Sequence, residues 1–250
     1  MRSVWDCSEK ELICAAAEGR ISDVKAILRR VQNPNVWDEH GESPLGCAVR
    51  GGHTEVVRLL LNARARTERK ATKQVPMLHV ACERGDLEIV CMLLAYRADK
   101  NSKDRLGTTA LIRASAADQL DIVHVLVYAR ADTNKTDKFN GTALKYAASE
   151  GHTEIVRALL TAKADLSVAD WLGMTAVRWA SCRGQADTKQ LLMDAGADES
   201  GYTPTPFVCL LFLGWSIALA GAGICLKRFL QSYVFVPTAA DPALDETCPG

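Results

Sequence analysis

Apolar residues along this chain fall in pairs of short runs, each run presenting one greasy face. Gly141–Asp165 shows the arrangement: TALKYAASE and TEIVRALLTA, with Gly151-His152 between them. A helix of about ten residues is marginal by itself. Such a unit must bury its face against a copy of itself, which is the logic of a repeat solenoid.

The copies keep a register of 33 residues. Stepping from Ala147 lands on Ala15, Ala48, Ala81, Ala114 and Ala180. Three residues before these stand Leu12, Leu45, Leu78, Leu111, Leu144 and Val177. Four after them come Gly19, Gly52, Gly85, Asp118, Gly151 and Gly184, and twelve after, Ile27, Leu60, Leu93, Leu126, Leu159 and Leu192. The small Ala lets two helices approach, and the Gly (or Asp118) allows a turn with positive φ. Glu55, Glu88, Asp121 and Glu154 then stand near the start of each second helix, where negative charge is favoured. The pairs Val56-Val57, Ile89-Val90, Ile122-Val123 and Ile155-Val156 predict its buried stripe. Gly41, Gly107, Asn140 and Gly173 mark a second turn before each unit; Gln74 departs from it and predicts an irregular turn there.

The segments SPLGCA, PMLHVA, TALIRA, TALKYA and TAVRWA resemble the Thr-Pro-Leu-His-x-Ala core of the ankyrin repeat. The resemblance covers roughly residues 3–200 as six units. It implies an all-α solenoid of helix–turn–helix units joined by hairpin loops. It also implies that protein partners contact the hairpin tips and the exposed face of the first helices. On that mapping the tips are Glu39-His40, Thr72-Lys73, Arg105-Leu106, Lys138-Phe139 and Trp171-Leu172, with Met174 just beyond the last. The first-helix face contributes Arg50, Glu83-Arg84, Ala116-Ala117, Ser149-Glu150 and Cys182-Arg183. The early tips are polar. The last three carry Leu106, Phe139, Trp171, Leu172 and Met174, which as neighbours would form an exposed apolar patch suited to a partner. Two other readings stay open: the side chains fold back onto the next hairpin, or they touch lipid headgroups.

Two features depart from the repeat. Where the family has Gly-Ala-Asp, seen here once as Gly196-Ala197-Asp198, the Gly is replaced by Arg64, Arg97, Arg130 and Lys163. These predict a basic ladder near helix C-termini, where positive charge is favoured. At the ends, the first position of the apolar pair is Asp23 in the first unit and Thr188, followed by Lys189, in the last. Polar outer sides predict an array complete at six units. Ser8 and Glu11 form a capping-box pattern at its start.

Beyond the repeats, residues 199–206 (ESGYTPTP) read as a linker broken by two prolines. Phe207–Leu226 then runs for 20 residues without a charge, ending at Lys227-Arg228. As a helix it spans about 30 Å, the thickness of a bilayer core. A capping helix on the last repeat should be amphipathic, and this segment is apolar all round. The expectation is a single-pass membrane helix. Residues 1–10 carry charges with no apolar h-region after them, so the repeats are expected to fold in the cytosol and to face it. Lys/Arg counting alone would place the C-terminus inside. Residues 229–250 predict a short disordered tail. Cys209 and Cys225 lie at the span's edges and are acylated or remain plain thiols.

Net charge is zero, so nothing argues for nucleic acid. Nine Cys lack CxxC or metal-ligand spacing and fit a reducing compartment. No nucleophile elbow, Walker loop, dinucleotide fingerprint or zinc motif occurs. His53, His79 and His152 read as turn or core-edge residues, and the sequons at Asn134 and Asn140 as turns. The expectation is a non-catalytic scaffold with no cofactor, binding protein partners. Alternatives are an accessory subunit of a membrane enzyme or channel, or a soluble regulator whose apolar tail binds a partner. The oligomeric state is left open.

Overall fold

Each predicted pair of apolar runs becomes a pair of short antiparallel helices. The fold is that of a computed structural model, which describes residues 7–30, 33–38, 41–67 and 75–198. These all lie in one compact unit, Met1–Tyr202. In chain order the helices are α1 (Cys7–Ala17), α2 (Ile21–Leu28), α3 (Pro44–Gly51), α4 (Thr54–Asn62), α5 (Met77–Arg84), α6 (Leu87–Ala95), α7 (Ala110–Ala116), α8 (Leu120–Tyr128), α9 (Ala143–Glu150), α10 (Thr153–Thr161), α11 (Ala176–Cys182) and α12 (Ala186–Asp194).

Local chemistry sets where they begin and turn. Ser43, Thr109 and Thr142 cap first helices: their hydroxyls accept the N–H of Gly46, Ile112 and Lys145. Pro44 follows Ser43 at the first helical position, where a missing N–H costs nothing. The turn after each first helix closes on the register alanine. The N–H groups of Arg20, His53, Asp86, Gln119, His152 and Gln185 donate to the carbonyls of Ala15, Ala48, Ala81, Ala114, Ala147 and Ala180, at 2.8–3.1 Å. Asp118 holds its place in that turn at φ 56°, beside glycines such as Gly52 at 73°.

Contacts between helices run in two rows. First helices stack α1–α3–α5–α7–α9–α11, second helices stack α2–α4–α6–α8–α10–α12, and each pair closes on itself. The core is the predicted register: Leu12, Leu45, Leu78, Leu111, Leu144 and Val177, the six alanines, the Val/Ile pairs, and Leu60, Leu93, Leu126, Leu159 and Leu192 are all buried. Burying each Leu, Val or Ile contributes about 1.5–3 kcal/mol.

The ends correct two expectations. Thr188 does not face outward. It is buried, and its hydroxyl shares a 2.9 Å hydrogen bond with that of Thr153 on the preceding second helix. The local partner makes the polar residue an inward one. Ser8 lies within α1, which already includes Cys7, so it does not stand ahead of the helix as a cap. Asp23 is half-buried and pairs with Arg20 at 2.6 Å. No helix among the described residues is long and apolar enough to cross a membrane. Phe207–Leu226, the linker and tail around it, Gln74, and the tips Glu39-His40 and Thr72-Lys73 lie outside the described residues.

Candidate interaction surface at the hairpin tips

The hairpin loops are built on an aspartate three residues before each loop Gly or Asn. Asp104 Oδ1 accepts the N–H of Leu106 and Thr108, at 2.8 and 2.9 Å. Asp137 Oδ1 accepts those of Phe139 and Gly141, both at 2.8 Å. Asp170 Oδ1 accepts those of Leu172 and Met174, at 2.9 and 3.0 Å. Asp38 accepts from Glu42 in the first loop. The second carboxylate oxygen takes a donor nine residues on, from the first helix: Arg113 at 2.8 Å, Tyr146 at 2.6 Å and Trp179 Nε1 at 2.7 Å. Each tip is thereby tied to its own helix.

These carboxylates face inward; the Asp104 side chain is 3% exposed. Burial pushes the Asp104 pKa up, but the hydrogen bonds from Arg113 and from the Thr108 and Leu106 N–H groups outweigh it and the net shift is down. Burial would lower the Arg113 pKa, and Asp104 with Glu83 reverse that. The Tyr146 hydroxyl is pushed up by burial and by donating to Asp137. Beside it, Lys145 lies 4.2 Å from the centre of the Tyr146 ring and 4.7 Å from that of Trp179. Burial lowers the Lys145 pKa.

Neighbouring tips are joined through the backbone. Lys138 N–H donates to the Leu106 carbonyl at 2.9 Å, and Trp171 N–H to that of Phe139 at 3.0 Å. The structure therefore brings Arg105, Leu106, Lys138, Phe139, Trp171 and Leu172 together along one edge. Leu106 is 52% exposed, Phe139 47% and Trp171 58%. Arg105 and Lys138 are exposed, and Leu172 is half-buried. The Phe139 and Trp171 rings lean on each other at 6.5 Å between centroids. The side chains thus touch their neighbours and still leave an apolar strip in solvent.

Met174 is a correction: it is 2% exposed and cannot belong to the strip. It is the residue that closes its loop. Its N–H bonds to Asp170 Oδ1 and its carbonyl accepts the Asp170 N–H, which turns the side chain into the core. Thr108 and Gly141 are buried in the same place. Arg183 lies away from the tips, exposed at the end of α11 and 3.7 Å from Glu150.

Sequence reasoning missed the loop aspartates, although Asp104, Asp137 and Asp170 recur every 33 residues. It also missed a ladder of asparagines on the connecting segments. Asn35, Asn101 and Asn134 accept the N–H of Arg66, Asp132 and Asp165 in the following unit. Asn140 holds its loop at φ 58° and donates to the Ala169 carbonyl. Arg64, Arg97, Arg130 and Lys163 are exposed, as a basic ladder requires. They also occupy left-handed backbone, with φ between 60° and 64°, where Gly196 stands at 91°.

His53 Nε2 lies 3.0 Å from the Ala17 carbonyl, and His152 pairs with Asp118. His79 is buried with Nε2 3.0 Å from the Ser102 carbonyl, and burial drops its pKa to about 4. Among the described residues no cluster of His, Cys, Asp or Glu could hold a metal ion.

The described helix pairs have known counterparts. The ankyrin repeat domain of Bcl-3, a unique member of the IκB protein family, superposes with a TM-score of 0.69. It is 26% identical, over 76% of this chain and 87% of that one. The ankyrin repeat protein EF0377 gives 0.70 at 27% identity, over 74% of this chain and 97% of its own. No curated protein matches the sequence. The family model for ankyrin repeats matches residues 12–104, 75–137 and 111–201, which together span nearly every described helix. On that match and the stack it encloses, this chain belongs to the ankyrin repeat family.

Proposed function

We propose that this chain is a non-catalytic adaptor. Six ankyrin repeats hold a protein partner, and Phe207–Leu226 tethers them to the cytosolic face of a membrane in a single pass. Ankyrin repeats generally serve as protein–protein interaction modules. The observation that carries the reading is the strip at the last three tips, where Leu106, Phe139 and Trp171 stand about half exposed on hydrogen-bonded neighbours. Exposed apolar strips of this kind mark contact surfaces. The tether is supported by the 20 uncharged residues of Phe207–Leu226.

Two experiments test the two halves. A photo-crosslinking amino acid at position 106 or 139 of the full chain in cells should give a discrete protein adduct. The same group at position 154, exposed on a second helix, should not. Adducts of equal yield at all three sites, or at none, reject the tip surface. Alkaline carbonate extraction should leave the full chain in the membrane pellet and release a 1–202 truncation. Release of both rejects the tether and leaves the adaptor reading with a soluble protein.

A further inference from the structure

The charge around the strip says what the partner looks like. At each of the last three tips the aspartate is turned inward. Asp104, Asp137 and Asp170 are committed to loop N–H groups and to Arg113, Tyr146 and Trp179. The cations beside them are turned out: Arg105 and Lys138 are exposed, with no side-chain hydrogen bond or ion pair among the described residues. Each stands immediately before an apolar tip residue, as Arg105-Leu106 and Lys138-Phe139, and in the third loop Trp171 takes the register position of the cation. The result is a strip that is apolar and uncompensated positive. The first loop contrasts with it, since Glu42 there is paired with Arg50.

The spacing fits an extended chain. Side chains on one face of a strand stand about 6.6 Å apart. The Phe139 and Trp171 ring centres are 6.5 Å apart, in a register fixed by the Trp171–Phe139 backbone hydrogen bond. The two rings lean on one another as a shallow surface. That favours a covering polypeptide over an acyl layer, into which free-standing wedges would insert.

We propose that Arg105, Leu106, Lys138, Phe139 and Trp171 bind an extended, acidic protein segment in which aspartate or glutamate alternates with apolar side chains. Its carboxylates meet Arg105 and Lys138, and its apolar side chains cover Leu106, Phe139 and Trp171. The inference rests on the partner-binding reading above and adds the chemistry of the partner.

A random peptide library displayed on phage and selected on the purified full chain tests it. The expected winners are net acidic with apolar residues at alternate positions. A synthetic winner should bind the R105E/K138E variant about tenfold more weakly or worse, at low salt. It should lose comparable affinity for F139S/W171S. All four positions are exposed, so these variants should melt near the parent temperature, a control made first.

Winners without acidic bias that still need Phe139 and Trp171 overturn the acidic partner and leave the adaptor reading standing. Winners indifferent to F139S/W171S overturn both. An empty selection overturns the short-segment proposal, while crosslinking from position 139 still reports on the adaptor. Full chain bound to phosphatidylcholine–phosphatidylserine vesicles through Arg105 and Lys138, with no peptide selected, would make the strip a lipid surface and sink the proposal.

Discussion

A single buried imidazole gives this solenoid an acid-side liability. His79 sits in the first-helix row with its pKa lowered from 6.5 to about 4, burial outweighing the Ser102 carbonyl that favours its proton. Between those values the unfolded chain binds the proton and the folded chain does not. The stability tied to neutral His79 is therefore full above about pH 6.5 and falls as the pH drops towards 4. The loss by pH 5 should be about 2 kcal/mol, readable as a drop in the urea midpoint. His79→Gln, which can still donate to Ser102, should remove most of that slope; an unchanged slope would acquit the histidine. A second residue-scale cost sits at Arg97, Arg130 and Lys163, held in left-handed backbone. That conformation costs a side-chain-bearing residue about 1–2 kcal/mol, and glycine's looser unfolded state takes back about 0.4–1. A triple Gly variant should therefore melt higher than the parent, and a lower melting temperature would refute the strain account.

At the scale of the element, the hairpin is a loop stapled to its own helix by one carboxylate. Asp137 gathers two backbone N–H groups and the Tyr146 hydroxyl in a nearly buried site. Asp137→Ala should cost about 2–3 kcal/mol, since it orphans all three donors. In a double-mutant cycle, Asp137→Ala and Tyr146→Phe should couple by about 1–2 kcal/mol. Additive losses, measured by chemical denaturation, would show that the two act apart. The staple also explains what the sequence could and could not disclose. The turn alanines and the Val/Ile stripes were legible because the same residue type returns every 33 positions. The donor nine residues after the aspartate is Arg113, then Tyr146, then Trp179. Only its ability to donate repeats, and no residue-by-residue comparison of the units isolates that. Met174 was misplaced for a related reason: an apolar residue next to a tip looks exposed until the loop aspartate is seen to draw it in.

At the scale of the whole molecule, the core is a row of nearest-neighbour contacts that thins at both ends. The middle second helices α4, α6, α8 and α10 each bury three or four apolar residues. Val24 is the one buried residue of α2, and α12 buries Thr188 and Leu192. The thinning falls where Asp23 and the inward-facing Thr188 take the place of an apolar residue. Among the described helices, opening an end pair breaks one interface, whereas opening a middle pair breaks two. Fraying from the ends is therefore the lowest-cost local opening. Leu126 and Leu192 occupy the same register position and both are fully buried, yet their truncation should read differently. Each Leu→Ala change removes about 2–5 kcal/mol from its site. In Leu126→Ala that loss should appear in the global transition, since α8 cannot open without severing its contacts to α6 and α10. In Leu192→Ala it should appear chiefly as faster amide exchange in α11 and α12, with protection in α3–α8 close to the parent. Equal shifts of the global transition, with no local gain in exchange at α12, would mean that the array unfolds as one block and that end and middle are energetically alike.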